Sequence, residues 1–385
     1  MGGDVSSTWS ALRAGRSGIG PITGIPTGRL SASIAAEITG FDGTAHFDSR
    51  RLPMLDRSAQ LALVAAREAV RQADLAPDAA QAARRGAIMA AAIGQSSLDA
   101  SYLTFYGEGA SRVHPFTVPR VMPNAPASHL SIEFGLRGPC YAVASACASG
   151  NHAIALAADT IRAGRAEVML AGGADASIVV GVLKCWEALR VLSADTCRPF
   201  SRDRSGLVLG EGAAVLVLED WDHARRRGAT ILAEVAGSGM SADAADITAP
   251  DIEGASAAMQ AALDDAGLDP AEIGYVNAHG TGTRLNDRIE SAALRRVFGR
   301  PPPVSSSKSM IGHCLCAGGA LEAVVTIMAL LDGVLPPTAG FRETDPECDV
   351  DCIPNIARAV PIQAALSNSF AFGGLNAVLA FRRAA

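Results

Sequence analysis

Short apolar runs alternate along the chain with longer alanine-rich stretches whose apolar residues recur every three or four positions. The short runs predict buried strands over residues 168–171 and 213–218, a third strand beginning at residue 231, and a strand end at 275–277. The longer stretches predict helices over residues 61–73, 151–163, 255–266 and 318–331. Strands and helices that alternate in this way indicate an α/β fold with largely buried sheets.

Length and composition set the number of folding units. The chain has 385 residues, of which 49% are apolar and 19% are charged, so it has enough apolar side chains for a large core and is not a disordered chain. At about 100–200 residues per domain, this length predicts two or three units or one large duplicated fold. A strand-rich half ends near residue 219, which places the predicted division between residues 1–222 and 223–385.

Charge and cysteine usage exclude several classes of protein. The net charge of −6 provides no basic field for nucleic acid or an anionic membrane, and no uncharged apolar run reaches the roughly 18 residues of a membrane span. The first residues lack the charged-then-apolar layout of a signal peptide. Eight cysteines without a CxxC pair are too sparse for a disulfide scaffold, so we expect a cytoplasmic protein.

Cys147 is the first candidate for chemistry. A short apolar segment leads into it, and a helical pattern follows that ends at Gly164. A cysteine between a strand and a helix lies at the positive end of the helix dipole, which predicts a lowered thiol pKa and nearby backbone N–H groups. Taken alone, this segment favours a buried structural cysteine over a reactive one.

A histidine at a strand end forms the second candidate site. His279 begins a glycine- and threonine-rich loop in which the hydroxyls of Thr281 and Thr283 are placed to bind a polar ligand arm. A capped turn with a surface histidine is the alternative.

The third candidate segment places Lys308 five residues before His313, which Cys314 and Cys316 follow. We reject a zinc site because this spacing leaves too few independent ligands and no second cluster exists in the sequence. The two cysteines are predicted to be small apolar packing residues.

The fourth segment lies near the C-terminus, where two glycines follow Phe370-Ala371-Phe372. Paired glycines after an aromatic residue predict a backbone that approaches another group closely.

The four segments and their order carry more information than any one of them. A cysteine, then HGTGT, then KSxxGH, then NSFxFGGxN resembles the β-ketoacyl-acyl-carrier-protein synthases of the thiolase-like superfamily. The resemblance extends from Asp4 to Arg382 and includes the stretches RPFSRDR, GEG and GLRGP. It implies a duplicated five-layer αβαβα fold and an acyltransferase that joins an acyl chain to malonyl-carrier protein with loss of CO2.

The resemblance assigns a role to each candidate. Cys147 resembles the nucleophile that accepts the acyl group, with the backbone N–H groups of Cys147 and Phe372 as the oxyanion hole. His279 and His313 resemble the pair that binds the malonyl thioester carbonyl. Lys308 matches a lysine that either organises the two histidines or pairs with Glu322. Thr281 and Thr283 match hydroxyls that bind the phosphopantetheine arm. Phe372 matches a gate beside the cysteine, and Phe370 is among the implied substrate-binding residues.

Binding partners are implied by the same resemblance. Ile93 and Trp186 match the acyl-pocket wall, and Arg112 and Arg190 match basic positions where an acidic acyl carrier protein docks. No organic cofactor is implied, but some members hold a structural sodium or potassium ion, at positions that match Asn277, Ala278, Glu322, Ser367 and Asn368. A homodimer, or a heterodimer with a ketosynthase-like subunit, is also implied.

Departures from the family pattern refine these expectations. Ala371 replaces a common glycine, Leu375 a common threonine and Asp246 a frequent histidine, and these features resemble specialised nodulation-type synthases. Family members open with an apolar strand that has no match here, so we expect the first strand to be missing. Two other functions are alternatives: a non-catalytic, chain-length-determining partner subunit, and a degradative thiolase, against which KSxxGH argues.

Overall fold

The structure is a computed structural model that describes residues 1–92 and 94–384. Its helices are α1 (Val5–Arg13), α2 (Arg57–Gln72), α3 (Gln95–Tyr102), α4 (Thr117–Val121), α5 (Ala125–Phe134), α6 (Ser149–Arg162), α7 (Val180–Ala188), α8 (Trp221–Arg226), α9 (Ile252–Ala266), α10 (Arg284–Phe298), α11 (Lys308–Ile311) and α12 (Gly318–Asp332). Its strands are β1 (Gly20–Pro21), β2 (Ile34–Ala35), β3 (Arg85–Ala90), β4 (Cys140–Val143), β5 (Val168–Asp175), β6 (Gly212–Glu219), β7 (Ala233–Ala242), β8 (Ile273–Asn277), β9 (Val304–Ser305), β10 (Val334–Leu335), β11 (Arg358–Ala359), β12 (Ala364–Ala371) and β13 (Leu375–Arg383).

Two mixed sheets with related topology form the framework. The first has the strand order β4-β3-β5-β6, with β3 parallel to β4 and β5, and β6 antiparallel to β5. The second has the order β9-β8-β12-β13-β7, with the same directions in its first four strands and β7 antiparallel to β13. The second sheet therefore repeats the first and adds one strand at the edge.

Helices cover both faces of each sheet. Helices α2 and α5 pack on the outer face of the first sheet, α6 and α12 fill the space between the sheets, and α9 and α10 cover the outer face of the second. The layers are thus α, β, α, β and α, which confirms the duplicated α/β fold that the resemblance implies. Burial on both faces explains why the central strands read as continuous apolar runs.

The sequence pattern locates these elements closely. Strands β5, β6 and β8 contain the predicted segments, whereas β7 begins at Ala233, two residues after its predicted start. Helices α2, α6, α9 and α12 each match a predicted helix to within about four residues at either end. The expected C-terminal stop after α6 is Gly164, which adopts φ +67°.

The first sheet has four strands in the described part of the chain, and no strand lies on the outer edge of β6. In the second sheet, β7 occupies the corresponding edge of β13. This difference agrees with the expected lack of the first strand.

Residues Leu315–Asp332, which include α12, are long and apolar enough to cross a membrane when judged by length and composition alone. Within the fold, 61% of this stretch is buried, and its Glu322 pairs with Lys308. The stretch is a core helix of the central layer.

Candidate active site

A tight turn presents Cys147 at the start of α6. Ala146 has φ +47°, a left-handed conformation that is strained for a residue with a side chain. The Ser149 hydroxyl stabilises the turn because it accepts a hydrogen bond from the Ser145 backbone N–H (2.8 Å) and donates one to the Ala146 carbonyl (2.7 Å). The predicted strand-to-helix turn is therefore present at this position.

Two glycines bring the central helices into backbone contact. A Cβ atom added to Gly150 on α6 would lie 2.5 Å from the backbone nitrogen of Ala320 on α12, and one added to Gly319 would lie 2.6 Å from Oδ1 of Asn151. Only glycine fits such close approaches. The contact joins the two halves of the fold next to the cysteine and places the residues before α12 beside it.

Cys147, His313 and His279 form one buried cluster. Nε2 of His313 lies 3.1 Å from Sγ of Cys147, and the His279 and His313 rings are 5.4 Å apart and nearly perpendicular. The Phe370 ring packs against His279 at a centroid distance of 6.1 Å. Because the two histidines come from the C-terminal half and the cysteine from the N-terminal half, this arrangement forms only when both halves fold together.

Lys308 is buried below the histidines and pairs with the carboxylate of Glu322. The structural pairing that was one of its two expected roles is therefore present. Its charge also bears on the histidines, because it lowers the pKa of both His279 and His313.

The expected low thiol pKa is wrong. Burial raises the pKa of the Cys147 thiol to about 11, although the positive charge of Lys308 opposes this rise. The desolvation of a fully buried thiolate outweighs the favourable field of the helix terminus. The thiol consequently keeps its proton at neutral pH in the absence of substrate.

Burial, and then the positive charge of Lys308, hold the pKa of both His279 and His313 well below the usual histidine value of 6.5. Both imidazoles are therefore neutral at pH 7, so each has one N–H donor and one acceptor nitrogen. A neutral pair suits hydrogen bonding to a carbonyl on which negative charge develops.

Glu290 and Asp287 hold the loop that contains His279, and the sequence reasoning missed both. The carboxylate of Glu290 accepts hydrogen bonds from the backbone N–H groups of His279 (2.8 Å) and Gly280 (2.7 Å), and Asp287 accepts one from Gly282 (3.2 Å). The available signal was the run of polar residues on one face of α10, which resembles a solvent-facing surface in the sequence but is buried in the fold.

The substrate-binding candidates are placed at different depths. The hydroxyls of Thr281 and Thr283 lie 2.9 Å apart in the loop after His279. The rings of Trp186 and Phe372 stack with centroids 5.8 Å apart, which joins the predicted pocket wall to the predicted gate. Ile93 lies outside the described residues.

Arg112 and Arg190 are both exposed, as a docking role requires. The candidate cation residues are buried together: Ser367 on β12 pairs in register with Asn277 on β8, and Nδ2 of Asn277 donates to the Glu322 carbonyl at 3.2 Å. Among the described residues, no group of three or more His, Cys, Asp and Glu side chains is arranged to bind a metal ion.

Cys314 and Cys316 are buried, as expected of packing residues. Cys316 is not purely apolar in its contacts, since its thiol donates to Oδ2 of Asp175 at 3.2 Å.

Two protein families match the chain. The family described as "Beta-ketoacyl synthase, N-terminal domain" matches residues 1–224, and "Beta-ketoacyl synthase, C-terminal domain" matches residues 232–342. The chain belongs to the β-ketoacyl synthase family. It is accordingly an acyltransferase of the ketosynthase type, and the recognition made from its motifs is confirmed.

Named relatives support this placement. The chain is 52% identical over 387 residues to Nodulation protein E of Rhizobium sp. (strain N33), covering 100% of this chain and 96% of the relative. It is 40% identical over 394 residues to 3-oxoacyl-[acyl-carrier-protein] synthase 2 of Staphylococcus aureus (strain COL), covering 100% and 95%. The similarity to nodulation-type synthases that the sequence departures indicated is therefore confirmed.

Solved structures give the same result. The ishigamide ketosynthase/chain length factor superposes with a TM-score of 0.94 at 37% identity, covering 100% of this chain and 96% of that one. A type II polyketide ketosynthase in complex with its acyl-carrier protein, AntDE:AntF, superposes with a TM-score of 0.91 at 30% identity and the same coverage.

Proposed function

We propose that this β-ketoacyl synthase transfers an acyl chain to Cys147 and condenses it with malonyl-acyl carrier protein to give CO2 and a 3-oxoacyl-acyl carrier protein. The contact between Nε2 of His313 and Sγ of Cys147, with His279 packed beside it, carries this proposal. A nucleophile and two neutral imidazoles in one buried cluster match what both half-reactions require.

The first half-reaction moves the acyl group to sulfur. As Sγ of Cys147 attacks the incoming thioester carbonyl, its proton passes to Nε2 of His313, which lies within hydrogen-bond distance. The backbone N–H groups of Cys147 and Phe372 stabilise the oxyanion. The phosphopantetheine thiolate then leaves and takes up the proton, which returns His313 to its neutral form.

The second half-reaction uses the two histidines as donors. Once the sulfur is acylated, His279 and His313 each donate an N–H to the malonyl thioester carbonyl. They stabilise the enolate that remains when the carbon–carboxylate bond breaks and CO2 leaves. The enolate carbon attacks the Cys147 thioester, the new carbon–carbon bond forms as the carbon–sulfur bond breaks, and the cysteine thiolate leaves and takes up a proton from solvent.

We propose an acyl carrier protein as the partner that delivers both substrates. Support comes from the exposed Arg112 and Arg190 and from the relative that was solved with its acyl-carrier protein. An acidic partner is steered by such local basic positions even though the whole chain is acidic. We assign the hydroxyls of Thr281 and Thr283, which lie 2.9 Å apart in the loop after His279, to binding of the phosphopantetheine arm.

A structural sodium or potassium ion fits the residues that the resemblance implied. Four buried oxygen atoms have no hydrogen-bond partner within the described structure: Oδ1 of Asn277, Oε2 of Glu322, Oγ of Ser367 and Oδ1 of Asn368. Oxygen ligands of this kind suit hard monovalent ions. The ion would fix the strand ends that carry the histidine loop, and a melting temperature that rises with potassium but not with choline would support it.

We propose that the chain acts as a dimer in the cytoplasm. Tyr141 on the edge strand β4 and several apolar side chains on the segment after α3 are exposed, Tyr106 by 77%. An unpaired strand edge and exposed apolar side chains are suited to a second ketosynthase subunit, identical or related. Sedimentation at several concentrations tests this assembly.

Intact-protein mass spectrometry after incubation with a panel of acyl-carrier proteins tests the function. The proposal expects a mass increase of one acyl group that is lost in Cys147→Ala and kept in Cys185→Ala, which removes an exposed cysteine. Added malonyl-carrier protein should then release CO2. No adduct from any donor, in a protein with native circular dichroism, would favour the non-catalytic partner subunit instead.

A further inference from the structure

The Ser145 hydroxyl and the His152 imidazole form a contact beside the nucleophile that neither half-reaction uses. Oγ of Ser145 lies 2.9 Å from Nδ1 of His152, which is in the first turn of α6. The same ring nitrogen lies 3.1 Å from the carbonyl oxygen of Ala148. The ring therefore links the residue two positions before Cys147 to the residue directly after it. We call this contact the Ser145–His152 bridge.

The bridge does not need a charged histidine. Burial lowers the pKa of His152, so the ring is neutral at pH 7. Nδ1 of a neutral ring either accepts a hydrogen bond from the Ser145 hydroxyl or donates one to the oxygen of Ser145 or Ala148. Both tautomers keep the ring between the two oxygen atoms.

Ser145 is held through all three of its polar atoms. Its N–H donates to Oγ of Ser149 (2.8 Å), its carbonyl accepts from the N–H of Ala148 (3.1 Å), and its hydroxyl contacts His152. All three partners follow Cys147 in the chain, and His152 is the farthest of them along α6. Ser145 is therefore fixed in both position and orientation relative to the helix that carries the nucleophile.

The peptide between Ala146 and Cys147 lies inside this frame. The N–H of Cys147 donates to no backbone carbonyl within the described structure, so it is available to a ligand. Its direction follows from the Ala146–Cys147 peptide, and Ala146 has a strained φ of +47°. A strained conformation of this kind persists only where the surrounding contacts impose it. The bridge joins Ser145 and Ala148, the two residues on either side of this peptide.

We propose that Ser145 and His152 are positioning residues for acyl transfer, whose bridge aims the Cys147 N–H at the oxygen atom that becomes negative during attack. They act through the backbone and not on the substrate. This role rests on the proposed function, because the oxyanion belongs to the acyl-transfer step. A donor in an oxyanion hole stabilises the transition state only when it is held in a fixed direction, so a small rotation of the peptide reduces its effect.

Substitution of either partner tests the bridge. Ser145→Ala and His152→Leu should each slow single-turnover acyl transfer at saturating acyl-loaded carrier protein by roughly 10–100-fold, because small displacements at a reaction centre have effects of this size. The half-saturating concentration of the acyl donor should stay near the wild-type value. Ser145→Thr keeps a hydroxyl, and His152→Asn places a polar atom where Nδ1 stands, so both should retain most of the wild-type rate.

Alkylation of Cys147 by iodoacetamide separates a misdirected N–H from a misplaced thiol. The thiol displaces iodide from a saturated carbon and no oxyanion forms, so Ser145→Ala and His152→Leu should be alkylated at the wild-type rate. Mass spectrometry of the peptide that carries Cys147 measures this reaction. The control variant is Ser131→Ala, which removes a half-buried hydroxyl that donates to the Leu136 carbonyl at 2.7 Å and should keep both rates.

The outcomes distinguish this role from the proposed function. Wild-type acyl-transfer rates in Ser145→Ala and His152→Leu would overturn the role and leave the proposed function intact. An equal fall in alkylation and acyl transfer would also overturn it, because the bridge would then hold the thiol. The double variant should be no slower than the slower single variant, since both changes remove one contact, and additive losses would contradict the bridge. Absence of acyl transfer in the wild type would refute the proposed function and this role with it.

Discussion

Nε2 of His313 lies 3.1 Å from Sγ of Cys147, whereas His279 contacts the cysteine only through the other histidine. The two imidazoles have similar burial and similarly lowered pKa values, but only one of them is placed to take up the thiol proton. Their contributions to the two half-reactions should therefore differ.

We expect His313→Asn to slow both acyl transfer to Cys147 and malonyl decarboxylation, and His279→Asn to slow decarboxylation alone. Loss of one donor to the developing enolate should lower the decarboxylation rate by roughly 10²–10³-fold in either variant. Single-turnover acyl transfer followed by mass spectrometry, with CO2 release measured in parallel, separates the effects. Equal acyl-transfer rates in the two variants would show that the His313–Cys147 contact has no catalytic role.

The two buried histidines should contribute a loss of folding stability as the pH drops below about 6.5. In the unfolded chain they take up protons near pH 6.5, but in the folded chain burial holds their pKa well below that value, so the unfolded state binds more protons. Each histidine contributes up to about 1.4 kcal/mol per pH unit, reached once it is fully protonated in the unfolded chain. Asp175 and Glu322 contribute in the opposite direction, because burial raises the pKa of these carboxyls to about 6 and about 7, so the folded chain takes up their protons in the same pH range.

Urea denaturation between pH 6.5 and 5 measures this slope. In the double variant His279→Gln/His313→Gln, the slope of unfolding free energy against pH should be less positive than in the wild type, while His114→Gln, which alters an exposed histidine, should keep the wild-type slope. Identical slopes in all three proteins would mean that the two active-site histidines titrate normally.

Glu290→Gln should disturb the histidine loop without removing a group that touches substrate. Glutamine has one acceptor oxygen, so either the N–H of His279 or that of Gly280 loses its partner. An unpaired buried N–H costs about 1–3 kcal/mol of folding free energy. Decarboxylation should fall more than acyl transfer, because His279 belongs to the former step.

The control for this change is Glu253→Gln, which alters an exposed carboxylate paired with Arg296. It should leave both rates and the melting temperature nearly unchanged, because surface ion pairs contribute little. If Glu290→Gln lowers the rates of acyl transfer and decarboxylation by the same factor, Glu290 contributes only to the stability of the fold.

Ala146→Val should destabilise the turn before the nucleophile. A β-branched residue at φ +47° is strained, and we expect a loss of roughly 2 kcal/mol in the free energy of unfolding together with slower acyl transfer. Ala146→Gly should remain within about 1 kcal/mol of the wild type, because relief of strain offsets the added chain entropy. Ala163→Val, at the exposed end of α6, is the matched control. If it lowers the free energy of unfolding as much as Ala146→Val does, the loss does not arise from backbone strain in the turn.

Trp186→Ala should change the acyl preference of the enzyme. The indole stacks on Phe372, so its loss widens the pocket wall and leaves the gate ring without its partner. Competition among acyl-carrier proteins of different chain length should show a shift towards longer or bulkier chains. An unchanged product distribution would show that Trp186 does not line the acyl pocket.

Local pattern predicted the elements, and ordered motifs predicted the candidate site. Cys147, His279 and His313 each lie in a short motif that can be recognised in the sequence. The family resemblance therefore predicted that the three side chains meet in one site. The thiol pKa could not be predicted correctly, because the helix terminus is visible in the sequence whereas the degree of burial that overrides it is not. Glu290 was missed for a related reason: polar positions on α10 do not reveal which face of the helix is buried.

The close contact of Gly150 with Ala320 has a consequence for how the enzyme loses activity. The distance between sulfur and imidazole is set by two helices that touch through their backbones, and each helix is anchored in a different half. If either half of the fold unfolds, the distance between the sulfur and the imidazole is lost, and the enzyme loses its activity. Heat inactivation and loss of tertiary structure should therefore occur as one cooperative event, without a partly active state between them.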